Sequence, residues 1–209
     1  MKLQGLRVTI RPMQQKDLDA MAKWRPFADP LYQPFDFPRR PLSEHVHWFD
    51  WRKRDHSRRL YTVIDERGQV IGSLTLREIH GRRSSRLGIT LGADHVGKGY
   101  GTEAMRLFLE HYFEEMGFER MDLDVSATNL RAVRSYRALG FREVGSHYRS
   151  ANHPSFRILR NKPRYKHLQR FFRRLGTMHQ VLFYDMALTR QDWQAWREGE
   201  AMGSEDGLL

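Results

Sequence analysis

Cysteine is absent from the 209 residues. Without it the chain has no disulfide framework, no thiolate nucleophile and no cysteine-ligated zinc or iron–sulfur site. Long apolar runs are absent too: the first residues lack the apolar stretch of a secretory signal, and no later run is long enough to cross a bilayer. We therefore expect a cytoplasmic protein that makes no membrane contact.

Acidic residues are in the minority, with 25 Asp and Glu against 36 Lys and Arg and a formal net charge of +11. A basic surface attracts polyanions and phosphorylated ligands, although it also serves solubility alone. Hydrophobic residues are plentiful at 40% of the chain, including 12 Phe, 8 Tyr and 5 Trp. Since such a chain can bury a core, we expect one domain over 1–198, followed by a disordered tail over 199–209.

The order of strands and helices predicts an α/β fold. Alternating apolar residues indicate strands, whereas capping residues and helical spacing indicate helices. The predicted strands are 6–12, 59–65, 69–78, 84–91, 120–125, 141–145 and 181–188, and the predicted helices are 17–24, 43–51, 103–116 and 130–139. Three consecutive strands should form an antiparallel meander, and later strands follow helical crossovers. The predicted fold class is a mixed, mostly antiparallel sheet with helices on both faces.

Three glycines lie where a strand turns into a helix, at Gly97, Gly99 and Gly101. Unpaired N–H groups at a helix start carry partial positive charge, and glycines let an anion approach the backbone. The segment is thus a candidate phosphate cradle, with an ordinary turn as the alternative. A P-loop pattern fails at Gly99, where Ser or Thr should bind magnesium, and a Rossmann pattern fails at Thr102, where the third glycine should stand.

A block downstream of the glycines, residues 129–141, resembles the asparagine-to-tyrosine motif of the GNAT superfamily of acyl-CoA-dependent N-acyltransferases. The glycine loop resembles the pyrophosphate-binding motif of the same superfamily, and the order and separation of the two motifs match. The resemblance covers 6–141 and resumes over 181–193. It is closest to the branch that acetylates ribosomal-protein N-termini and related small amines. It departs from the family pattern at Val96, where Gln or Arg is usual.

The resemblance implies an N-acetyltransferase that binds acetyl-CoA and no metal. The acetyl group would pass to a primary amine, on a protein N-terminus or a small molecule. Direct transfer in a ternary complex is favoured because no cysteine is available to carry the acyl group. In this family the strand before the loop splays from its parallel neighbour, and the pantetheine arm inserts between them. The implied coenzyme-binding residues are Ile89, Thr90, Leu91, Val96, Gly97, Lys98, Gly99, Tyr100, Gly101, Thr102, Asn129 and Ala132.

Three residues carry the implied chemistry. Tyr136 falls at the general-acid position of the family. A phenol with a pKa of about 10 can give a proton or a hydrogen bond to the departing thiolate, whose thiol has a pKa of about 8.5. The alternative is a core tyrosine, which would show the same spacing. The N–H of Leu91 is the candidate oxyanion donor. Arg86 stands near the place where many relatives have a carboxylate, so Glu78 is the candidate base, through a water; a surface glutamate is the alternative.

The acceptor site in such folds is walled by the first two helices and the loop between them. The candidate acceptor residues are Tyr32, Phe35, Asp36 and Trp48, and the alternative is that they belong to the core.

A basic segment from Arg157 to Arg174 contains eight Lys and Arg and no acidic residue. It lies within an insertion of about 150–178 and also carries the aromatic residues Phe156, Tyr165, Phe171 and Phe172. Such a mixture suits contact with nucleic acid or the ribosome, and it also suits a solvated face or a lid over the coenzyme phosphates. A second function therefore stays open, a GNAT-fold module that binds RNA or another polyanion with weak or no catalysis. We expect a monomer or a homodimer.

Overall fold

The computed structural model describes residues 1–205. Nine strands form one sheet: β1 Leu3–Gln4, β2 Val8–Pro12, β3 Arg59–Asp65, β4 Val70–His80, β5 Ser84–Leu91, β6 Arg120–Ser126, β7 Arg142–Ser150, β8 Phe172–Leu175 and β9 Met178–Thr189. The helices are α1 Asp17–Ala22, α2 Leu42–Arg54, α3 Tyr100–Glu110, α4 Leu130–Ala138, α5 Pro154–Asn161 and α6 Arg190–Glu205. Short 3₁₀ segments lie at Gln33–Phe35, Ala93–His95 and Pro163–Phe171, and a π turn at His111–Glu115 extends α3.

The strand order is β1-β2-β3-β4-β5-β6-β9-β7, with β8 also paired to β9. Strands β3, β4 and β5 form the predicted antiparallel meander, while β5 and β6 are parallel. The connection between these two parallel strands runs through α3, as a parallel pair requires. The predicted fold class is confirmed.

Helices cover both faces of the sheet. Tyr61 packs edge-on against Phe108 of α3 at 5.1 Å between ring centroids, within the large core. Its neighbour Leu60 packs into the smaller cluster of α1 and α2, around Leu18 and Met21. Because successive residues of a strand point to opposite faces, α3 lies on one face and α1 and α2 on the other.

The insertion forms a small core of its own against β9. Phe156, Leu159, Tyr165, Leu168 and Phe171 are buried there together with Val181. Phe172 is half-buried and packs against the same cluster. These rings hold the segment together, so they are not presented for stacking on nucleotide bases. Seven of the eight basic side chains from Arg157 to Arg174 are exposed, and Arg160 is half-buried. Nothing further supports the predicted contact with nucleic acid.

Helix α6 extends through Glu205 and so includes the first part of the stretch 199–209 for which the sequence predicts disorder. The rest of that stretch, 206–209, lies outside the described residues. Over 1–205 no helix has both the length and the apolar character needed to cross a membrane.

Candidate active site

A cavity of about 550 Å³ opens where β5 and β6 part. The two strands pair only from Ser84 with Arg120 to Leu87 with Leu123. Beyond that point Gly88, Ile89, Thr90 and Leu91 line one side of the cavity, and Asp124, Val125 and Ser126 line the other. The divergence makes a slot between two parallel strands, whose backbone groups are left without a partner strand on that side.

The N–H groups of β5 point alternately toward β4 and toward the slot. The N–H of Gly92 donates to the carbonyl oxygen of Ile71, which follows Val70 at the start of β4, at 3.0 Å. Hydrogen bonds to an antiparallel neighbour use alternate residues, so the N–H groups of Leu91 and Ile89 point away from β4 and into the slot. Two donors of the same orientation therefore face the cavity. The sequence singled out Leu91, and the strand geometry adds Ile89.

The glycine loop continues this wall to the start of α3. Gly97 and Gly99 have left-handed backbones, with φ of 79° and 86°. A Cβ on Gly99 would lie 2.8 Å from Nη2 of Arg7, and one on Gly101 would lie 2.9 Å from a methyl carbon of Leu91. The left-handed backbone favours glycine at Gly99, and at Gly101 a side chain would displace Leu91. Val96, Gly97, Gly99, Gly101 and Thr102 all line the cavity.

Arg7 braces the loop from behind. Its Nη1 donates to the carbonyl oxygen of Lys98 at 3.0 Å, and its Nε donates to Oε2 of Glu103 at 2.9 Å. Its guanidinium also lies 5.0 Å from the ring centroid of Tyr100, whose hydroxyl donates to Glu66 at 3.1 Å. Neither Lys98 nor Tyr100 lines the cavity, and their predicted contact with the coenzyme stays a prediction.

The loop fits a diphosphate. It offers unpaired amides at the start of α3, a backbone that glycine keeps open, and a wall from Val96 to Thr102 without any carboxylate. An anion bound there would meet the partial positive charge of the helix start, and the acidic residue of the first helical turn, Glu103, is already paired with Arg7.

Helix α4 forms the opposite wall. Asn129 is its N-cap, and its Oδ1 accepts the N–H of Ala132 at 3.2 Å, which leaves the side-chain amide N–H₂ as a donor for the cavity. Tyr136 follows two turns later on the same face and lines the cavity beside Asn129 and Ala132. Burial, together with the negative charge of Asp124, raises the pKa of Tyr136 above its ordinary value of about 10. Its phenol therefore keeps its proton at neutral pH.

Asp124 is a carboxylate that the sequence did not single out. Its side chain is only 7% exposed, and it pairs with Arg77 at 2.6 Å, Arg149 at 2.9 Å and Arg86 at 3.3 Å. Burial alone would raise the pKa of Asp124, but the guanidiniums of Arg149 and Arg77 outweigh burial and lower it. The group stays ionised, and it ties β4, β5 and β7 to β6 at the point where the slot begins.

The predicted base, Glu78, lies outside the cavity wall. It occupies a bulge of β4, where the pairing with β5 shifts register, and its φ is 54°. Its two carboxylate oxygens pair with Arg77 at 2.8 Å and Arg86 at 3.0 Å, and its side chain is 49% exposed. A role for Glu78 as base stays a prediction that needs an intervening water.

The loop between α1 and α2 closes one side of the cavity. Tyr32 and Phe35 line it as the sequence predicts, together with Phe27. Asp36 instead accepts the N–H of Phe27 at 3.0 Å and faces a separate, smaller cavity. Trp48 packs in the cluster of α1 and α2, with the Arg52 guanidinium 4.8 Å from its ring centroid. Asp36 and Trp48 are thus not brought to the cavity.

The insertion holds this loop in place. Oδ1 of Asp29 accepts the hydroxyl of Tyr165 at 2.7 Å, and its Oδ2 pairs with Nη2 of Arg164 at 2.7 Å. Leu31 packs against the buried cluster of the insertion. No local pattern predicts this contact, because the two segments are far apart along the chain.

Comparison with known proteins agrees with this geometry. Residues 7–142 match the model of a family described as an acetyltransferase (GNAT) domain. The chain belongs to the GNAT acetyltransferase family. It is an acetyl-CoA-dependent N-acetyltransferase, as the glycine loop and the asparagine-to-tyrosine motif predict.

Relatives and solved structures carry the names of amine acetyltransferases. Spermidine N(1)-acetyltransferase of Vibrio cholerae is 27% identical over 150 residues, covering 66% of this chain and 81% of that protein. The enzyme of the same name from Escherichia coli K12 is 28% identical over 139 residues, covering 66% and 74%. The Vibrio cholerae enzyme solved with CoA and spermine aligns with a TM-score of 0.67 over 90% of this chain and 98% of that one, at 20% identity, which shows the shared fold. The narrower resemblance to the ribosomal-protein branch finds no support in these relatives.

Proposed function

We propose that this GNAT acetyltransferase transfers an acetyl group from acetyl-CoA to the primary amine of a small molecule, by direct attack within a ternary complex. The observation that carries the proposal is the slot between β5 and β6. Two free amides of β5 face it from one side, and the protonated phenol of Tyr136 faces it from the other. An oxyanion donor and a general acid thus share one cavity.

The steps of the transfer fall to different groups of this chain. The amides of the loop from Val96 to Thr102 hold the diphosphate of the coenzyme, which supplies the activated acetyl group as a thioester. A backbone N–H, of Leu91 or Ile89, stabilises the negative charge on the carbonyl oxygen. That charge appears when the amine nitrogen bonds to the carbonyl carbon, and it is lost when the carbonyl re-forms and the carbon–sulfur bond breaks. Tyr136 gives its proton to the leaving sulfur, and the proton lost by the amine passes through water, with Glu78 as the proposed relay.

Spermidine is the acceptor named for two relatives, yet the cavity of this chain opposes a polycation. Arg77 and Arg131 line it, and its one lining carboxylate within residues 1–205, that of Asp124, is already paired with three arginines. A second ammonium group of a polyamine would find no free carboxylate on this wall. Spermidine is therefore the reference acceptor to test against amines of other charge.

Release of free thiol from acetyl-CoA, measured over a panel of primary amines, tests the proposal. We expect acetyl-CoA to raise the melting temperature saturably and at least one amine to release thiol. Tyr136→Phe should lower kcat about 100-fold while the KM for acetyl-CoA stays unchanged. Tyr148→Phe is the matched control, since Tyr148 lies on β7 beside Arg173 and away from the cavity. No melting shift at millimolar acetyl-CoA would refute the proposal.

A further inference from the structure

We infer that Arg131 binds an anionic group of the acceptor, so that the preferred substrate is a primary amine that also carries a carboxylate or a phosphate. This inference rests on the proposed function and concerns the acceptor half of the same cavity. Arg131 lies in the first turn of α4, and it has no part in the proposed binding of the diphosphate or in the proposed proton transfers.

Arg131 is a half-buried cation on the cavity wall. Its guanidinium lies 4.1 Å from the ring centroid of Tyr32 and 6.0 Å from that of Phe27. Among residues 1–205 it forms an ion pair with no carboxylate, whereas the other arginine of this wall, Arg77, pairs with both Asp124 and Glu78. The contact with Tyr32 places the guanidinium over the ring, and none of the hydrogen bonds found among residues 1–205 uses its N–H groups.

The guanidinium of Arg131 faces the cavity without an ionic partner among residues 1–205, so it is available to a ligand. Burial lowers the pKa of Arg131, with Tyr32 opposing the shift, but a guanidinium keeps its charge at any physiological pH. Its fork of donors matches the two oxygens of a carboxylate or a phosphate. The ligand that suits this wall is therefore an anion.

The neighbours of Arg131 assign this anion to the acceptor. Tyr32 and Phe27 belong to the loop between α1 and α2, not to the glycine loop. The diphosphate has its own donors in the amides from Val96 to Thr102. Together with Phe35, the two rings make an aromatic wall beside the cation, which suits an acceptor that carries an apolar group as well as its acidic group.

Matched pairs of acceptors test this inference. Each pair consists of an amine with and without an anionic group: phenylalanine with phenethylamine, and O-phosphoethanolamine with ethanolamine, with spermidine as the polycation. We expect the wild type to favour the anionic member in kcat/KM. Arg131→Met, which keeps length and removes charge, should remove about 10- to 100-fold of that preference and leave the neutral amines nearly unchanged. Arg131→Lys should retain part of it.

Arg134→Met is the control, because Arg134 lies on the same helix, is exposed and is not part of the cavity wall. It should leave the preference intact. Melting temperatures in the presence of CoA and each amine give a second readout that does not depend on turnover: the anionic amines should stabilise the wild type and not Arg131→Met.

Three results would overturn the inference. Spermidine or the neutral amines would be preferred by the wild type; or Arg131→Met would lower kcat/KM equally for both members of each pair; or it would raise the KM of acetyl-CoA but not that of acetyl-dephospho-CoA, which would assign Arg131 to the coenzyme phosphate. In each case thiol release still supports the proposed function. Only the absence of release with every amine refutes that function as well.

Discussion

The hydroxyl of Tyr165 donates a hydrogen bond to the carboxylate of Asp29 at 2.7 Å, between residues 136 positions apart. Tyr165 belongs to the core of the insertion, and Asp29 belongs to the loop that carries Phe27 and Tyr32. This contact therefore links the insertion to the loop on one side of the cavity. The insertion thus supports the loop that we propose lines the acceptor site.

Removing this link should affect the acceptor more than the coenzyme. Tyr165→Phe deletes one partly buried hydrogen bond and should cost about 1 kcal/mol of unfolding free energy. Because the loop would lose its anchor, we expect the KM of the acceptor to rise several-fold while the KM of acetyl-CoA stays constant. Arg164→Met is the control: that side chain also pairs with Asp29 but is 70% exposed, so its loss should cost less than about 0.5 kcal/mol. A rise in the KM of acetyl-CoA alone would contradict this role.

Replacing Asp124 by Asn should destabilise the sheet at the start of the slot. The substitution leaves three guanidiniums without their shared carboxylate, and breaking such a nearly buried network costs about 3 kcal/mol. Denaturant titration of the wild type and Asp124→Asn measures the difference. Asp122→Asn is a matched control on the same strand, because Asp122 pairs with Arg120 at an exposed site. Equal losses in both variants would argue against a special role for Asp124.

The pH dependence of the same pair of proteins follows from the lowered pKa of Asp124. A carboxylate whose pKa is lower in the folded state adds stability above its unfolded pKa of about 3.9, and this stability is lost as the pH falls through the folded value. We therefore expect the stability difference between the wild type and Asp124→Asn to be constant from pH 8 to about 5 and to shrink below about pH 4. A difference that grows on acidification would contradict the assignment.

Gly99→Ala should weaken coenzyme binding. The left-handed backbone strains any residue with a Cβ by about 1–2 kcal/mol, and here that Cβ also meets Arg7 at 2.8 Å. Because Arg7 braces the loop, its displacement should raise the KM of acetyl-CoA at least tenfold. Gly68→Ala separates the two effects, since Gly68 has φ of 77° with no atom within 4 Å of its Cβ position. It should cost stability and leave the KM of acetyl-CoA unchanged.

The raised pKa of Tyr136 makes a prediction for activity at high pH. The phenol donates its proton only while it is protonated, and its pKa lies above about 10. We expect kcat at saturating substrates to show no decline between pH 7 and 10. Thiol release measures kcat, after subtraction of the release that occurs without enzyme at each pH. A fall in kcat with a midpoint near pH 8 or 9 that persists in Tyr148→Phe would argue against Tyr136 as the acid.

Local spacing made part of the site predictable. Gly97, Gly99 and Gly101 stand before a helix, and Asn129 and Tyr136 stand two turns apart on one face, so their arrangement follows from backbone geometry over a few residues. Arg131 belongs to the same motif, but the sequence gives no sign that it faces Tyr32. Asp124 alternates with apolar residues as a surface aspartate does, and its partners come from three other strands.

By itself, the sequence determined the meander and the helix that starts at the glycines, because each depends on interactions between near neighbours along the chain. Its lack of cysteine also excluded an acyl-cysteine intermediate. Tertiary structure alone decided that Phe156, Tyr165 and Phe171 are core and not a stacking surface, since the same aromatic and basic composition serves either purpose. It also decided which charges face the cavity. Burial and ion pairing are set by segments that meet only when the sheet is assembled.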